Sequence, residues 1–297
     1  MDNAGKKFFL NRYKQLGEEI QDSQIKSAIR INTLKTTASE LLPRLEKLGI
    51  KLEKIPYTTQ GYFVKKTNFS LGAITEHLLG YYYLQEAAAQ IPVEILNPEP
   101  TDTVLDCCAA PGGKTTQLAA LMNNQGKIIS YELKPHRITS LIMNLERCGV
   151  TNTTVFSADA TDAKKLGIQF DKILLDAPCS GNYALEKDWF EKRDLNGIKQ
   201  SSRIQRKILR TAIDVLKPNG SLVYSTCSLE PEENELNIQW ALDNLPVHIE
   251  KINLPVGDEG ITNIFEQKLN DQIKNCKRFW PHKTNTQGFF VARLVKI

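Results

Sequence analysis

Two cysteines, Cys179 and Cys227, stand 48 positions apart in the chain. The first lies in Asp176-Ala177-Pro178-Cys179-Ser180-Gly181, the second in Tyr224-Ser225-Thr226-Cys227-Ser228. Each follows a short apolar run, Ile173-Leu174-Leu175 or Leu222-Val223. Such runs read as buried strands. In an open α/β sheet, ligands bind beyond the carboxyl ends of the strands. Two thiols are thus expected on one rim. Upstream, Val104-Leu105-Asp106 leads into Cys107-Cys108-Ala109-Ala110-Pro111-Gly112-Gly113-Lys114, a strand, a glycine turn and a helix start. The set asks for a reaction that uses a nucleophilic thiol, a second cysteine and a bound ligand.

The elements that position these residues follow from patterning. From Thr101 onward, strands and helices alternate. Candidate strands are Val104 to Asp106, Lys127 to Ser130, Thr153 to Phe156, Lys172 to Leu175, Ser221 to Tyr224 and Phe289 to Leu294. This alternation predicts an α/β fold, a mostly parallel sheet with helices on both faces. The first 95 residues differ. Ala28 to Asn32, Lys51 to Ile55 and Gly61 to Lys65 read as strands, and Thr37 to Leu48 as a helix with Leu41, Leu42, Leu45 and Leu48 at helical spacing. A small α+β module is expected. Gly80 to Leu96 reads as an apolar helix, ended by Pro98 and Pro100. The expected domains are 1–95 and 96–297.

Composition narrows the class. The 297 residues are 41% hydrophobic and 24% charged, enough for a sizeable core. The net charge of +4 is compatible with nucleic acid. No apolar run of about 18 residues predicts a membrane helix. The start, Met1 to Lys7, leads into no signal-peptide core. A cytoplasmic, monomeric protein is expected. Six cysteines are too few for a disulfide scaffold, and with no Cys-x-x-Cys pair and four scattered histidines no metal site is expected. Cys107, Cys108, Cys148 and Cys276 read as buried or bystander thiols.

The glycine loop fits neither a P-loop nor a Gly-x-Gly-x-x-Gly turn. Its glycines allow close backbone approach, and the helix start offers N–H donors to a carboxylate. Glu132, 26 positions after Asp106, stands where ribose hydroxyls are held in dinucleotide folds. Asp159, after the third strand, is placed for an adenine amino group. A nucleoside without phosphates suits this set, and S-adenosylmethionine is one.

Taken together, these motifs resemble the Sun-type RNA 5-methylcytosine methyltransferases. The resemblance also includes Arg30-Ile31-Asn32-Thr33-Leu34-Lys35, Gln85-Glu86-Ala87, Glu232-Glu233-Asn234-Glu235 and Gly288-Phe289-Phe290-Val291-Ala292. It implies a Rossmann-type methyltransferase domain preceded by an RNA-recognition-like module. It carries cofactor contacts to Cys108, Ala109, Ala110, Pro111, Gly112, Gly113, Lys114, Glu132, Arg137, Asp159 and Asp176. It makes Cys227 the nucleophile and Cys179 the residue that assists release, with Asp176 and Lys114 beside the base. Two departures stand out: Asn182-Tyr183 follows Gly181 where many relatives carry x-Gly, and Lys217-Pro218-Asn219-Gly220 replaces Lys-Pro-Gly-Gly. The chain is expected to lack an added C-terminal RNA-binding domain.

The chemistry explains the thiols. Carbon 5 of cytosine becomes nucleophilic once a thiolate adds at carbon 6. The target base must be single-stranded or flipped out. RNA contacts are expected on the basic stretch Lys187 to Arg210, with Lys199, Arg203, Arg206, Lys207 and Arg210 on one face and Ile204, Ile208, Ala212 and Leu216 on another. A second basic cluster is Lys274, Lys277, Arg278 and Lys283, near Trp280. Arg30 and Lys35 mark the first module. A tRNA substrate is favoured, with rRNA as the alternative. A uracil-directed methyltransferase and a non-catalytic RNA-binding assembly factor stay open.

Overall fold

A computed structural model of the chain describes residues 4–297. Met1, Asp2 and Asn3, where the expected absence of a signal core begins, lie outside the described residues. After helix α1 (Ala4–Gln15) come β1 (Ala28–Ile31), α2 (Ala38–Lys47), β2 (Lys51–Lys54), β3 (Gly61–Lys66), α3 (Thr75–Leu78) and β4 (Tyr82–Leu84). The four strands form an antiparallel sheet in the order β2-β3-β1-β4. This β-α-β-β-α-β succession is the split βαβ motif. α2 buries Leu41 and Leu45 against Ile29, Ile31 and Tyr82.

Then follow α4 (Ala87–Leu96), β5 (Thr103–Asp106), α5 (Gly113–Leu121), β6 (Lys127–Tyr131), α6 (Pro135–Cys148), β7 (Thr153–Phe156) and β8 (Phe170–Asp176). Next are α7 (Trp189–Lys192), α8 (Leu195–Val215), β9 (Leu216–Thr226), α9 (Glu235–Asn244) and β10 (Val247–Glu250). The chain ends with β11 (Asp258–Glu259), β12 (Asn263–Ile264), β13 (Gln267–Lys268), β14 (Lys277–Phe279), α10 (Pro281–Thr284) and β15 (Phe289–Lys296). The large sheet runs β11-β14-β15-β9-β8-β5-β6-β7, with β10 also on β15. β7, β6, β5, β8 and β9 are parallel, and β15 closes on β9 antiparallel.

Strand alternation makes the two layers. Val104, Ile128, Leu174 and Val223 face α4 and α5. Leu105, Ile173, Leu222 and Tyr224 face α8 and α9. The sheet order reverses at β5, so the ends of β5 and β8 flank the switch point where ligands bind in such sheets.

One expected element is corrected. Gly80 to Leu96 is not one helix: Tyr82–Leu84 forms β4 on the edge of β1, and the helix starts at Ala87. Two aromatic residues find cross-strand partners, and Glu86 then caps α4 by accepting from the N–H groups of Ala88 and Ala89. The expected border at residue 95 falls inside α4, which packs on the large sheet. α1 also packs on that body, with Phe9 against Trp189. Among the described residues no helix is long and apolar enough to cross a membrane.

Candidate active site

β5 delivers Asp106 to the rim, and the chain turns through the glycine loop into α5. Gly112 has φ +103°, a conformation that favours glycine. A Cβ on Gly113 would stand 3.2 Å from the Tyr83 ring, so the small sheet seats directly on this loop. Asp106 is buried. Its Oδ2 accepts from the Thr115 hydroxyl at 2.7 Å, and its Oδ1 has no partner. Burial pushes this carboxyl up to about 6.

Glu132 follows β6 and is buried. Its Oε1 accepts from the Lys134 N–H at 2.8 Å, and Arg137 lies 3.4 Å from Oε2. Arg137 also donates to the carbonyl of Ala110, tying the glycine loop to Glu132. Asp159 spends Oδ1 on its own turn, accepting from the Thr161 N–H and hydroxyl, both at 2.8 Å.

β8 and β9 pair in parallel with Asp176 opposite Ser225. That register brings the two thiols together: the Sγ atoms of Cys179 and Cys227 are 3.2 Å apart, and both cysteines are free. The hydrogen bond to Cys227, and then burial, push the Cys179 thiol well above its usual range. Lys114 Nζ donates to Asp176 Oδ2 at 2.7 Å, and the Ser225 hydroxyl donates to Oδ1 at 2.8 Å. Lys114, Asp176, the loop from Cys108 to Pro111 and Gly113 line a cavity of about 230 Å3, along with Tyr83, Glu86 and Gln287. Glu132, Arg137 and Asp159 stand outside that cavity, beyond β6 and β7. Cys107, Cys148 and Cys276 are buried, and Cys108 is half-buried. Among the described residues no group of three or more His, Cys, Asp or Glu is placed to hold a metal.

A polar frame holds the two cysteine loops, and sequence reading missed it. Asn182, one of the two departures, is buried and donates to the carbonyls of Cys227 at 2.7 Å and Gly288 at 3.2 Å. Glu233 is buried and accepts from the Ser180 N–H at 3.0 Å and the Ser180 hydroxyl at 2.5 Å. Ser180 in turn meets the Ser228 hydroxyl at 3.2 Å. The residues after each catalytic-candidate thiol are thereby clamped by one carboxylate, which burial pushes above its ordinary range. Glu233 belongs to a quoted motif, yet its sequence gives no sign of a partner 53 positions away. The second departure is explained too: Asn219 adopts φ +61°, and a Cβ at Gly220 would meet the Asp171 carbonyl at 2.9 Å.

Basic residues singled out in the sequence differ in their exposure. Arg30 is buried and donates to Gly113 O at 2.6 Å and Thr116 Oγ1 at 2.8 Å, joining the small sheet to α5. Arg278 is fully buried against Glu235 at 2.5 Å, which takes it out of the second basic cluster; Lys283 pairs with Glu18 and Asp258 at the surface, and Lys274 is exposed. On α8, Arg206 bonds Asn237 at 2.7 Å and lies over Trp240, while Lys199, Arg203, Lys207 and Arg210 are exposed. Ile204 is exposed rather than on the buried face of Ile208, Ala212 and Leu216.

The family model of the 16S rRNA methyltransferase RsmB/F matches residues 93–295, and that of the N-terminal domain of 16S rRNA methyltransferase RsmF matches residues 5–87. The chain belongs to the RsmB/F methyltransferase family. A 28S rRNA (cytosine(4447)-C(5))-methyltransferase of Homo sapiens is 38% identical over 90% of this chain, which spans 34% of that relative's length. A tRNA (cytosine(49)-C(5))-methyltransferase of Pyrococcus abyssi is 35% identical over 92% of this chain and 88% of its own. The crystal structure of NSun6 from Pyrococcus horikoshii with SFG superposes with a TM-score of 0.82 at 27% identity, covering 99% of this chain and 96% of that one. The RsmB/F fold in this chain is thus a Rossmann-type methyltransferase domain with an added N-terminal module.

Proposed function

We propose that this RsmB/F family member is an enzyme that transfers a methyl group from S-adenosylmethionine to carbon 5 of cytosine in RNA. The observation that carries the reading is the thiol pair 3.2 Å apart, beside the Lys114–Asp176 pair. The neighbour with SFG, an S-adenosylmethionine analogue, supports the cofactor class. So do the residues: Asp106 Oδ1 is buried without a donor, and Glu132 stands beyond β6 with Arg137 at its side. Cys108 to Lys114, Glu132, Arg137, Asp159 and Asp176 would hold the cofactor. When bound, S-adenosylmethionine supplies an electrophilic methyl group.

The chain's own residues account for the rest. Cys179 holds its proton, so its S–H can donate to the sulfur of Cys227, which attacks as the thiolate. That thiolate forms a bond to carbon 6 of cytosine, and the electron pair moves to carbon 5. As the adduct forms, ring nitrogen 3 takes up a proton from solvent and donates it in a hydrogen bond to Asp176; Lys114 and Ser225 orient that carboxylate, and each of its oxygens keeps a second acceptor site. Once carbon 5 has taken the methyl group, its proton passes to a water that Cys179 hydrogen-bonds, and the carbon–hydrogen electron pair re-forms the double bond to carbon 6. The sulfur–carbon bond to Cys227 then breaks and the aromatic ring returns.

We favour tRNA, because the Pyrococcus abyssi relative whose length this chain nearly spans acts on tRNA. The rRNA reading is favoured instead by the two family models and the human relative. Functionally we divide the chain into 1–95, with the small sheet, and 96–297, with the large one. The test is to incubate the protein with S-adenosylmethionine and unmodified tRNA or rRNA and analyse nucleosides by mass. 5-Methylcytidine is expected. 5-Methyluridine, or no product from either RNA, would overturn the proposal.

A further inference from the structure

In RNA-recognition sheets, aromatic side chains on an open face stack the bases. Here the sheet is covered at its centre on both sides. α2 takes one face through Leu41 and Leu45. On the other, Ala28, Ile55 and Phe63 pack with Ala87 of α4, and Arg30 is engaged by α5. A nucleic acid that uses this module must therefore find another surface.

Such a surface exists where the start of β1 and the ends of β3 and β4 meet. A groove of about 960 Å3 is lined by Lys26 before β1, Lys65 and Lys66 of β3, Phe69 beyond β3, and Leu185 of the loop that follows Cys179. Phe69 is 40% exposed and Leu185 53% exposed. The one carboxylate in the lining, Glu86, is turned to backbone N–H groups of α4 and Gln287. Lys65 is held by Glu53 at 3.0 Å, an exposed pair that competes weakly with a phosphate. Leu84 and Glu86 line both this groove and the cavity beside Asp176 and Lys114. The groove therefore adjoins the candidate active site, and it carries positive charge along its walls.

The geometry points to this groove as the path of the single-stranded RNA segment next to the target nucleotide. The inference rests on the proposed RNA-methylating function and names where the substrate lies. Phe69 stacks on a neighbouring base, Leu185 contacts it, and Lys26 and Lys66 meet phosphates. A flipped-out target loses its stacking partners, and an aromatic platform beside it replaces part of that loss without reading sequence.

The test uses the full chain and a short labelled single-stranded RNA containing cytosine, without methyl donor, at several salt concentrations. Phe69→Ala is expected to weaken binding about tenfold, within the range for one lost base stack. Lys26→Gln with Lys66→Gln is expected to lower the salt slope by about 1.4, two phosphate contacts at about 0.7 each. S-adenosylmethionine affinity should stay as in the wild type. Should Phe69→Ala unfold the protein, Leu185→Ser, on a different loop, gives the same reading. Unchanged affinity and slope in these variants would overturn the groove assignment. Equal losses on an RNA duplex would overturn the single-stranded occupant. If the wild type binds RNA through this groove but makes no methylated nucleoside, the proposed function fails and the groove stands. If it methylates RNA and the variants bind normally, the groove alone fails.

Discussion

At Asp106 a single carboxyl sits buried, takes one hydrogen bond from Thr115 and leaves Oδ1 unpartnered. Its folded-state value of about 6 lies above the ordinary 3.8 because burial disfavours the charge. A raised value means its contribution to stability is complete at low pH and is lost as pH rises through about 6. Asp106→Asn should therefore match the wild type near pH 4 and exceed it near pH 7.5. The gain should be about 2–3 kcal/mol, two pKa units at ~1.4 kcal/mol each. Urea unfolding at both pH values reads this out; a variant less stable at pH 7.5 would contradict it. Glu132→Ala should weaken S-adenosylmethionine binding by about 1–3 kcal/mol, the range for losing a charged hydrogen-bond partner. Calorimetry giving unchanged affinity would remove Glu132 from the cofactor site.

Between elements, the contacts that matter are polar and distant in sequence. Arg30→Ala removes the donor that joins β1 to Gly113 and Thr116 of α5. It should cost about 3 kcal/mol of stability, because those acceptors stay buried. It should also loosen the glycine loop and weaken the cofactor. A melting point equal to wild type would sink this. On α8, Arg206→Ala should destabilise through lost contacts to Asn237 and Trp240, whereas exposed Arg203→Ala should change thermal unfolding little. Equal shifts would contradict the division. The strand ends that carry Cys179 and Cys227 were legible in sequence, because short apolar runs, turn residues and thiols recur there in order. The parallel alternation from β5 to β9 was legible for the same reason. Asn182, Ser225 and Glu233 were not, since their partners lie 45 to 53 positions away and only the fold joins them. β4 was missed because Tyr82 and Tyr83 extend the apolar pattern of α4 without a break. Arg206 and Arg278 looked like RNA contacts, because charge type in a sequence does not reveal burial.

Across the whole molecule, the small sheet seats on the glycine loop, the groove at its strand ends adjoins the cavity, and the loops after β8 and β9 hold the two thiols against each other. In the proposed function, one body presents a methyl donor, a target base and its flanking strand to the same rim. The proposed mechanism stands on the roles of the two thiols. The direct measurement mixes Cys179→Ala or Cys227→Ala protein with RNA and S-adenosylmethionine and resolves the products on a denaturing gel. Cys179→Ala should accumulate a protein–RNA adduct that survives denaturation, since attack by Cys227 proceeds and release stalls. Cys227→Ala should form none and transfer no methyl group. An adduct of equal yield from Cys227→Ala, or none from Cys179→Ala with transfer intact, would contradict the mechanism.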